Sequence, residues 1–279
     1  MASSRLRAKL REALHRNALS VQYQPQFELH TGRGCGVEAL ARWTLINGQI
    51  VAPSVFIPLA EHFGMIQALG KWALKSACET AHVWGSHDPH CTMLSVNVSA
   101  LQINEEFSAV IGQTLKETRL PADCLELEIT ENALVGNTNL TIECLKQWKG
   151  LGVRIAVDDF GTGYSSFNYL SRLPVDRLKL DQSLTHRMTI DGKGKIIMRS
   201  IIALGADLGI DVIAEGVETE QQFQMLEELG CPHVQGYLLG RPMPATQAQL
   251  ALRKPWGNRL GPNPAFRPRL IEIGEFQRQ

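Results

Sequence analysis

After an opening hairpin, the chain repeats one unit: a short apolar run of strand length, then a longer stretch with helical spacing. Residues 21–24 and 36–43 read as two strands joined through the turn Thr31-Gly32-Arg33-Gly34, hence antiparallel neighbours. Strands recur at 93–98, 125–129, 153–157, 177–180, 211–215 and 233–237. Helical runs are expected at 5–17, 54–61, 67–84, 100–118, 132–149, 196–208 and 218–229, with a short one from Ser165. Parallel strands need crossovers of this length, so the alternation calls for βα units. Eight strands favour closure into an α/β barrel over an open doubly wound sheet.

The polar residues of these strands sit in unusual places. Glu38, Asn97, Glu128, Asp158, Asp159, Lys179, Glu215 and Gln235 all lie in or at the ends of expected strands, several inside apolar runs. A charge there needs a partner. In a barrel, side chains from the C-terminal ends of different strands converge on one site. Singly, each has an ordinary explanation. Glu38 could be a solvent-facing strand charge, Asn97 a turn former, Lys179 a solvated strand end, and Glu218 a helix-start charge favoured by the macrodipole. Such groups on seven strand ends at once point instead to a shared site.

Glu38, Glu128, Asp158 and Asp159 supply four carboxylates, and Asn97 a neutral oxygen. The eight histidines show no metal-ligand spacing. Hard oxygen donors without His or Cys suit Mg²⁺ or Mn²⁺ rather than zinc. Asp158 and Asp159 end a buried strand and are followed by Phe160-Gly161-Thr162-Gly163. This could be a capped strand-to-helix turn. Two adjacent aspartates can also serve two metals, a device for in-line attack at phosphorus.

Zero formal net charge gives no electrostatic reason to bind a nucleic-acid polymer or an anionic membrane. No run is long and apolar enough to span a bilayer, and the basic start lacks a secretory h-region. Cys35, Cys78, Cys91, Cys124, Cys144 and Cys231 are scattered and read as small buried hydrophobes in a reducing compartment. The expected setting is cytoplasmic, as a free-standing domain or part of a larger signalling protein.

At this point the motifs resemble a known family. Tyr23-Gln24-Pro25, Glu38-Ala39-Leu40-Ala41-Arg42-Trp43, Phe56 to Glu61, Asn97-Val98-Ser99, Glu128-Ile129-Thr130-Glu131, Asp158 to Ser166, Lys179-Leu180-Asp181, Glu215-Gly216-Val217-Glu218 and Gln235-Gly236-Tyr237 follow in order over about residues 5 to 245. The series is similar to the EAL domains, bacterial phosphodiesterases of cyclic di-GMP. The resemblance implies a TIM-like (β/α)8 barrel with an antiparallel first strand, hydrolysis of cyclic di-GMP to linear pGpG, two Mg²⁺ or Mn²⁺ ions, and a homodimer. By the same resemblance, Glu38, Asn97, Glu128 and Asp158 hold one metal, and Asp158 and Asp159 a second. Lys179 holds the attacking water, and Glu215 is the general base. Gln24, Leu40, Arg42, Glu61, Asp181, Glu218 and Gln235 line the substrate pocket. Glu131 fixes the loop Phe160-Gly161-Thr162-Gly163, which is linked to metal occupancy and dimer contacts.

Two departures stand out. Gln26 and Phe27 follow Pro25 where the family more often has aliphatic residues, and Leu184 stands where an aromatic is commoner. The domain is expected over 1–250, with a Pro- and Arg-rich tail of unassigned role over 251–279. A catalytically silent cyclic di-GMP receptor is the alternative. The complete set of acids favours the enzyme.

Overall fold

The computed structural model describes residues 2–16, 18–85, 92–135, 138–162, 170 and 172–256. Its strands are β1 (Leu19–Glu28), β2 (Gly34–Thr44), β3 (Ile50–Val51), β4 (Met93–Asn97), β5 (Leu125–Thr130), β6 (Arg154–Phe160), β7 (Arg177–Leu180), β8 (Asp211–Ala214) and β9 (His233–Gln235). The order β1-β9-β8-β7-β6-β5-β4-β2 closes on itself through a β1–β2 pairing. Pairs from β2–β4 round to β8–β9 are parallel, whereas β1 runs antiparallel to both β2 and β9. The fold is therefore a TIM-like mixed barrel of eight strands with an inverted first strand. The two-residue β3 adds a ninth strand antiparallel to β2, too short to show any periodicity in the sequence.

The helices are α1 (Ala2–His15), α2 (Pro53–His62), α3 (Ile66–Gly85), α4 (Glu105–Thr118), α5 (Glu131–Val135), α6 (Thr138–Gly150), α7 (Gln182–Ile190), α8 (Gly192–Leu208), α9 (Glu220–Glu228) and α10 (Ala245–Leu252). Local chemistry moves several expected boundaries. Pro53, with its preset φ, starts α2 one residue before Ser54. The run 100–118 divides because Ser99 caps a 3-10 turn and Asn104 then caps α4. Asp181 caps α7, which the sequence reading did not anticipate. The short helix expected from Ser165 falls outside the described residues.

Each strand alternates, but the polar face points inward. In β5, Leu125, Leu127 and Ile129 join the core between sheet and helices, with Phe107 of α4 and Trp148 of α6. Glu126 and Glu128 occupy the intervening positions and are also buried. A second core gathers Leu10 of α1, Trp43 of β2, Phe56 of α2 and Leu69 of α3. Beyond α10, Trp256 packs on Phe223 with ring centroids 4.7 Å apart, and its N–H donates to the Gly32 carbonyl at 2.7 Å. The start of the C-terminal stretch thus packs on the barrel. Cys35, Cys78, Cys144 and Cys231 are free, whereas Cys124 is disulfide-bonded, a departure from an all-thiol set that residue spacing did not reveal. Among the described residues, no helix is long and apolar enough to cross a membrane.

Low in the barrel the interior charges are matched. Arg177 Nη1 donates to Glu126 Oε1 at 3.0 Å, and its Nη2 to Asp211 Oδ2 at 2.8 Å. Ser95 Oγ donates to Glu126 at 2.9 Å, Arg154 lies 3.7 Å from Glu126, and His233 Nε2 lies 3.0 Å from Asp211 Oδ1. Burial works against ionisation of Asp211, but His233 and Arg177 outweigh it and hold its carboxyl well below the usual range. A depressed carboxyl stabilises the fold above the ordinary aspartate pKa, and that stability is lost as pH falls toward the depressed value. Asp211→Asn should therefore cost about 2–3 kcal/mol at pH 7, and the gap to wild type should shrink by pH 3. Urea unfolding at the two pH values checks this, and an equal gap at both would contradict it.

Candidate active site

At the mouth of the barrel the charges are not matched. Lys179 of β7 is 1 % exposed. Its Nζ lies 2.7 Å from Glu128 Oε2, 2.8 Å from Glu215 Oε1, 3.1 Å from Asp158 Oδ1 and 3.7 Å from Glu38 Oε2. Four carboxylates from β2, β5, β6 and the end of β8 thus converge on one ammonium. Around them, Asn97 Nδ2 donates to Glu38 Oε1 at 2.7 Å, and Gln235 Nε2 donates to Glu38 Oε2 at 2.6 Å and to Gln24 Oε1 at 3.3 Å. The strand register explains the convergence. Glu38 stands opposite Gln24 and Asn97 opposite Glu128, on facing rungs of neighbouring strands.

The electrostatics follow from burial against a single cation. Burial pushes Glu128 well above the usual carboxyl range; Lys179 lowers it, and Glu38, Asp158 and Glu215 raise it further. Burial likewise raises Glu215, to about 8, with Lys179 opposing and Asp158 and Glu38 reinforcing. Glu38 is also penalised by burial, yet Lys179, Gln235 and Asn97 hold it below its ordinary value. Burial opposes charge on Lys179, but Asp158, Glu128, Glu215 and Glu38 keep it firmly protonated.

Strict alternation would send Asp158 and Asp159 to opposite faces. The β6–β7 register slips between Val157 and Phe160, so three steps of β6 span two of β7. Asp159 takes a left-handed φ of 55° in that bulge. Strain of this kind in a non-glycine residue concentrates at functional sites. Burial raises the Asp159 carboxyl, as do neighbouring Asp158 and Asp181, so the exposed Asp159 shares the field of the mouth. The next turn is pinned from behind: Glu131 Oε2 accepts from the Gly161 amide at 3.1 Å, and Thr162 Oγ1 donates to the Asp159 carbonyl at 2.9 Å. Phe160 is buried. At Gly161 (φ 97°) a Cβ would come 2.6 Å from Leu184 Cδ1, so a side chain fits poorly there. Gly163 lies outside the described residues.

The remaining residues singled out in the sequence are less closely tied to this cluster. Arg42 is half-buried on β2, its Nε donating to Gln22 Oε1 at 2.9 Å, and it lies in the field of Glu38. Leu40 is two residues beyond Glu38 on the same face of β2. Glu61 of α2 accepts from Ser99 Oγ at 2.6 Å, next to the strand that carries Asn97. Asp181 is engaged in capping α7 through the Ser183 amide at 2.9 Å. Glu218 is exposed, and among the described residues no hydrogen bond or ion pair joins its carboxylate to the cluster. Sequence reasoning missed Gln26, which is fully buried and donates to Gln235 Oε1 at 2.9 Å. Its signal was a polar residue on the same strand face as Gln24.

Among the described residues, no three His, Cys, Asp or Glu side chains form a ready metal cage, and the Lys179 ammonium stands at the focus of the carboxylates. The donor chemistry nevertheless fits a hard divalent cation. All the donors are oxygens, and the carboxylates outnumber the single ammonium. Glu128 Oε1 is buried without a hydrogen-bond partner.

A model of the EAL domain family matches residues 7–242. The bifunctional diguanylate cyclase/cyclic di-GMP phosphodiesterase MucR of Pseudomonas aeruginosa is 40% identical over 240 residues, covering 85% of this chain and 35% of the relative. The oxygen sensor protein DosP of Escherichia coli is 37% identical over 244 residues, covering 87% and 30%. The chain spans about a third of the length of these curated relatives. The solved structure of the PaMucR phosphodiesterase in complex with c-di-GMP superposes with a TM-score of 0.83 at 40% identity, covering 87% of this chain and 99% of that one.

Removing the central ammonium should leave four carboxylates facing one another. Lys179→Met should lower stability in chelator at neutral pH by about 3–5 kcal/mol, and added Mn²⁺ should restore much of it. Thermal melts with and without the metal read this. Wild-type stability in chelator would mean that Lys179 does not hold the cluster together.

Proposed function

Given that the chain belongs to the EAL domain family, we propose that it hydrolyses cyclic di-GMP to linear pGpG with the help of Mg²⁺ or Mn²⁺. The observation that carries this reading is the excess of buried carboxylate at the barrel mouth, where four acids face one lysine. Glu38, Asn97, Glu128 and Asp158 would hold one ion, and Asp158 together with Asp159 would hold a second. Divalent cations bound there would offset the negative charge of the phosphodiester and acidify the attacking water.

The protein's own groups supply the rest. Glu215, whose Oε1 lies 2.8 Å from Lys179 Nζ at the focus of the cluster, would take the water proton as a carboxylate once bound cations offset the charge around it. Lys179 Nζ stabilises charge that develops on the phosphoryl oxygens. Arg42 presents a planar guanidinium suited to a phosphate oxygen. Gln24, Leu40, Glu61, Asp181, Glu218 and Gln235 form the pocket wall around the dinucleotide. Glu131, tied to the Gly161 amide, holds the loop after Asp159, and through it the contacts of a homodimer. The ligand seen with PaMucR supports the choice of substrate.

The deciding assay is purified protein with Mg²⁺ or Mn²⁺ and cyclic di-GMP, analysed for pGpG. Tight nucleotide binding without product under either metal would make the chain a receptor instead. Glu38→Ala should abolish turnover in folded protein, and near-normal turnover would discredit its place as a ligand. Glu215→Gln should lower kcat by about 10²–10⁴ while substrate affinity stays near wild type. A matching loss of affinity would make Glu215 a binding residue.

A further inference from the structure

Gln26 is buried at 0 % exposure on the inner face of β1, opposite Gln235 of β9 on one side and Gly36 of β2 on the other. The orientation of each amide in this region is set by chemistry. A carboxylate only accepts, so the Gln235 atom 2.6 Å from Glu38 Oε2 is its NH₂. The Gln235 carbonyl therefore faces away from Glu38, toward Gln26, whose NH₂ donates to it at 2.9 Å. From the other end, the Gln24 NH₂ donates to the Gly240 carbonyl at 3.1 Å, so its Oε1 faces the Gln235 NH₂. Rotating any one of these amides would set two donors or two acceptors against each other.

Room for Gln26 comes from Gly36. A Cβ there would lie 2.8 Å from Gln26 Oε1 and 2.9 Å from the Met93 carbonyl. The arrangement has a cost, since Gln26 Oε1 is buried with no partner. An aliphatic side chain would avoid that cost but could not donate to Gln235. A polar residue kept at this expense has a use elsewhere.

We infer that Gln26 is a positioning residue: it locks the Gln235 amide so that its NH₂ faces Glu38, and thereby fixes the rotamer of Glu38. This rests on the reading of the barrel mouth as a metal-dependent phosphodiesterase site. The expected consequence is a weaker, less ordered metal site when Gln26 is replaced by an apolar residue, with the fold unchanged.

The test uses Gln26→Leu, with Gln26→Met as a second variant of nearly unchanged length should the first fold poorly. In metal-free protein, the Gln235 side-chain NH₂ signals are followed by ¹⁵N NMR. They should shift and exchange with water several-fold faster in the variants; unchanged signals would overturn the assignment. By calorimetry, Mn²⁺ affinity should fall about 5-fold, the size of one lost hydrogen bond. That loss should vanish when the substitution is made in a Gln235→Ala background. An equal loss in both backgrounds would show that Gln26 does not act through Gln235. Should wild-type protein take up no Mn²⁺ or leave cyclic di-GMP uncleaved, the proposed function fails, while the metal-free NMR signals still decide the role of Gln26.

Discussion

The contact of Lys179 with Glu128, Glu215, Asp158 and Glu38 is the interaction on which the upper barrel depends. Each of these acids is brought in by a different strand, so the ammonium ties together elements that share no local sequence. Desolvation alone would drive such groups neutral. The lysine stays charged because four acids surround it, and the acids remain close because the lysine is there. One cation cannot balance four carboxylates, however, and burial, reinforced by that imbalance, holds Glu128 and Glu215 above the usual carboxyl range. On the proposed reading, divalent cations bound there would relieve this tension.

The layer below makes the contrast clear. Glu126 and Arg177 precede Glu128 and Lys179 by two residues on the same strands, so alternation places both pairs inside the barrel. There Arg177 and Arg154 face Glu126 and Asp211, with His233 beside Asp211, and charge is matched within the protein. The lower layer is structural because it is neutral. The upper layer, where charge is unmatched, is the candidate site. The same strand rhythm builds both, and only the choice of side chain separates scaffold from chemistry.

Much of this was legible in the residues. The βα alternation and eight strands led to the barrel, and the hairpin before it led to the inverted β1. Acids at strand ends led to the cluster now seen on Lys179. What escaped was of two kinds. Short elements such as β3 and α7 have too few residues for a period to register, and their starts depend on single caps like Asp181. The inner layer escaped for another reason. Leu-Glu-Leu-Glu and Arg-Leu-Lys-Leu read equally well as strands with one wet face, and only closure of the barrel turns that face inward. Glu126, fully buried, looks from sequence like a solvated charge.

The bulge at Asp159 bears on how two adjacent aspartates sit at one strand end. Two neighbouring strand residues cannot normally share a face, so the pair Asp158-Asp159 should have split between mouth and helix layer. One extra residue in β6, a left-handed Asp159 and the Gly161 amide held by Glu131 break that alternation, and Asp159 lies in the field of Asp158. The backbone strain is carried by a residue whose short polar side chain tolerates that conformation. It is anchored by a buried glutamate on the neighbouring βα connection. The position of the second aspartate therefore depends on Glu131 and on the space left at Gly161, two features outside the carboxylate cluster itself.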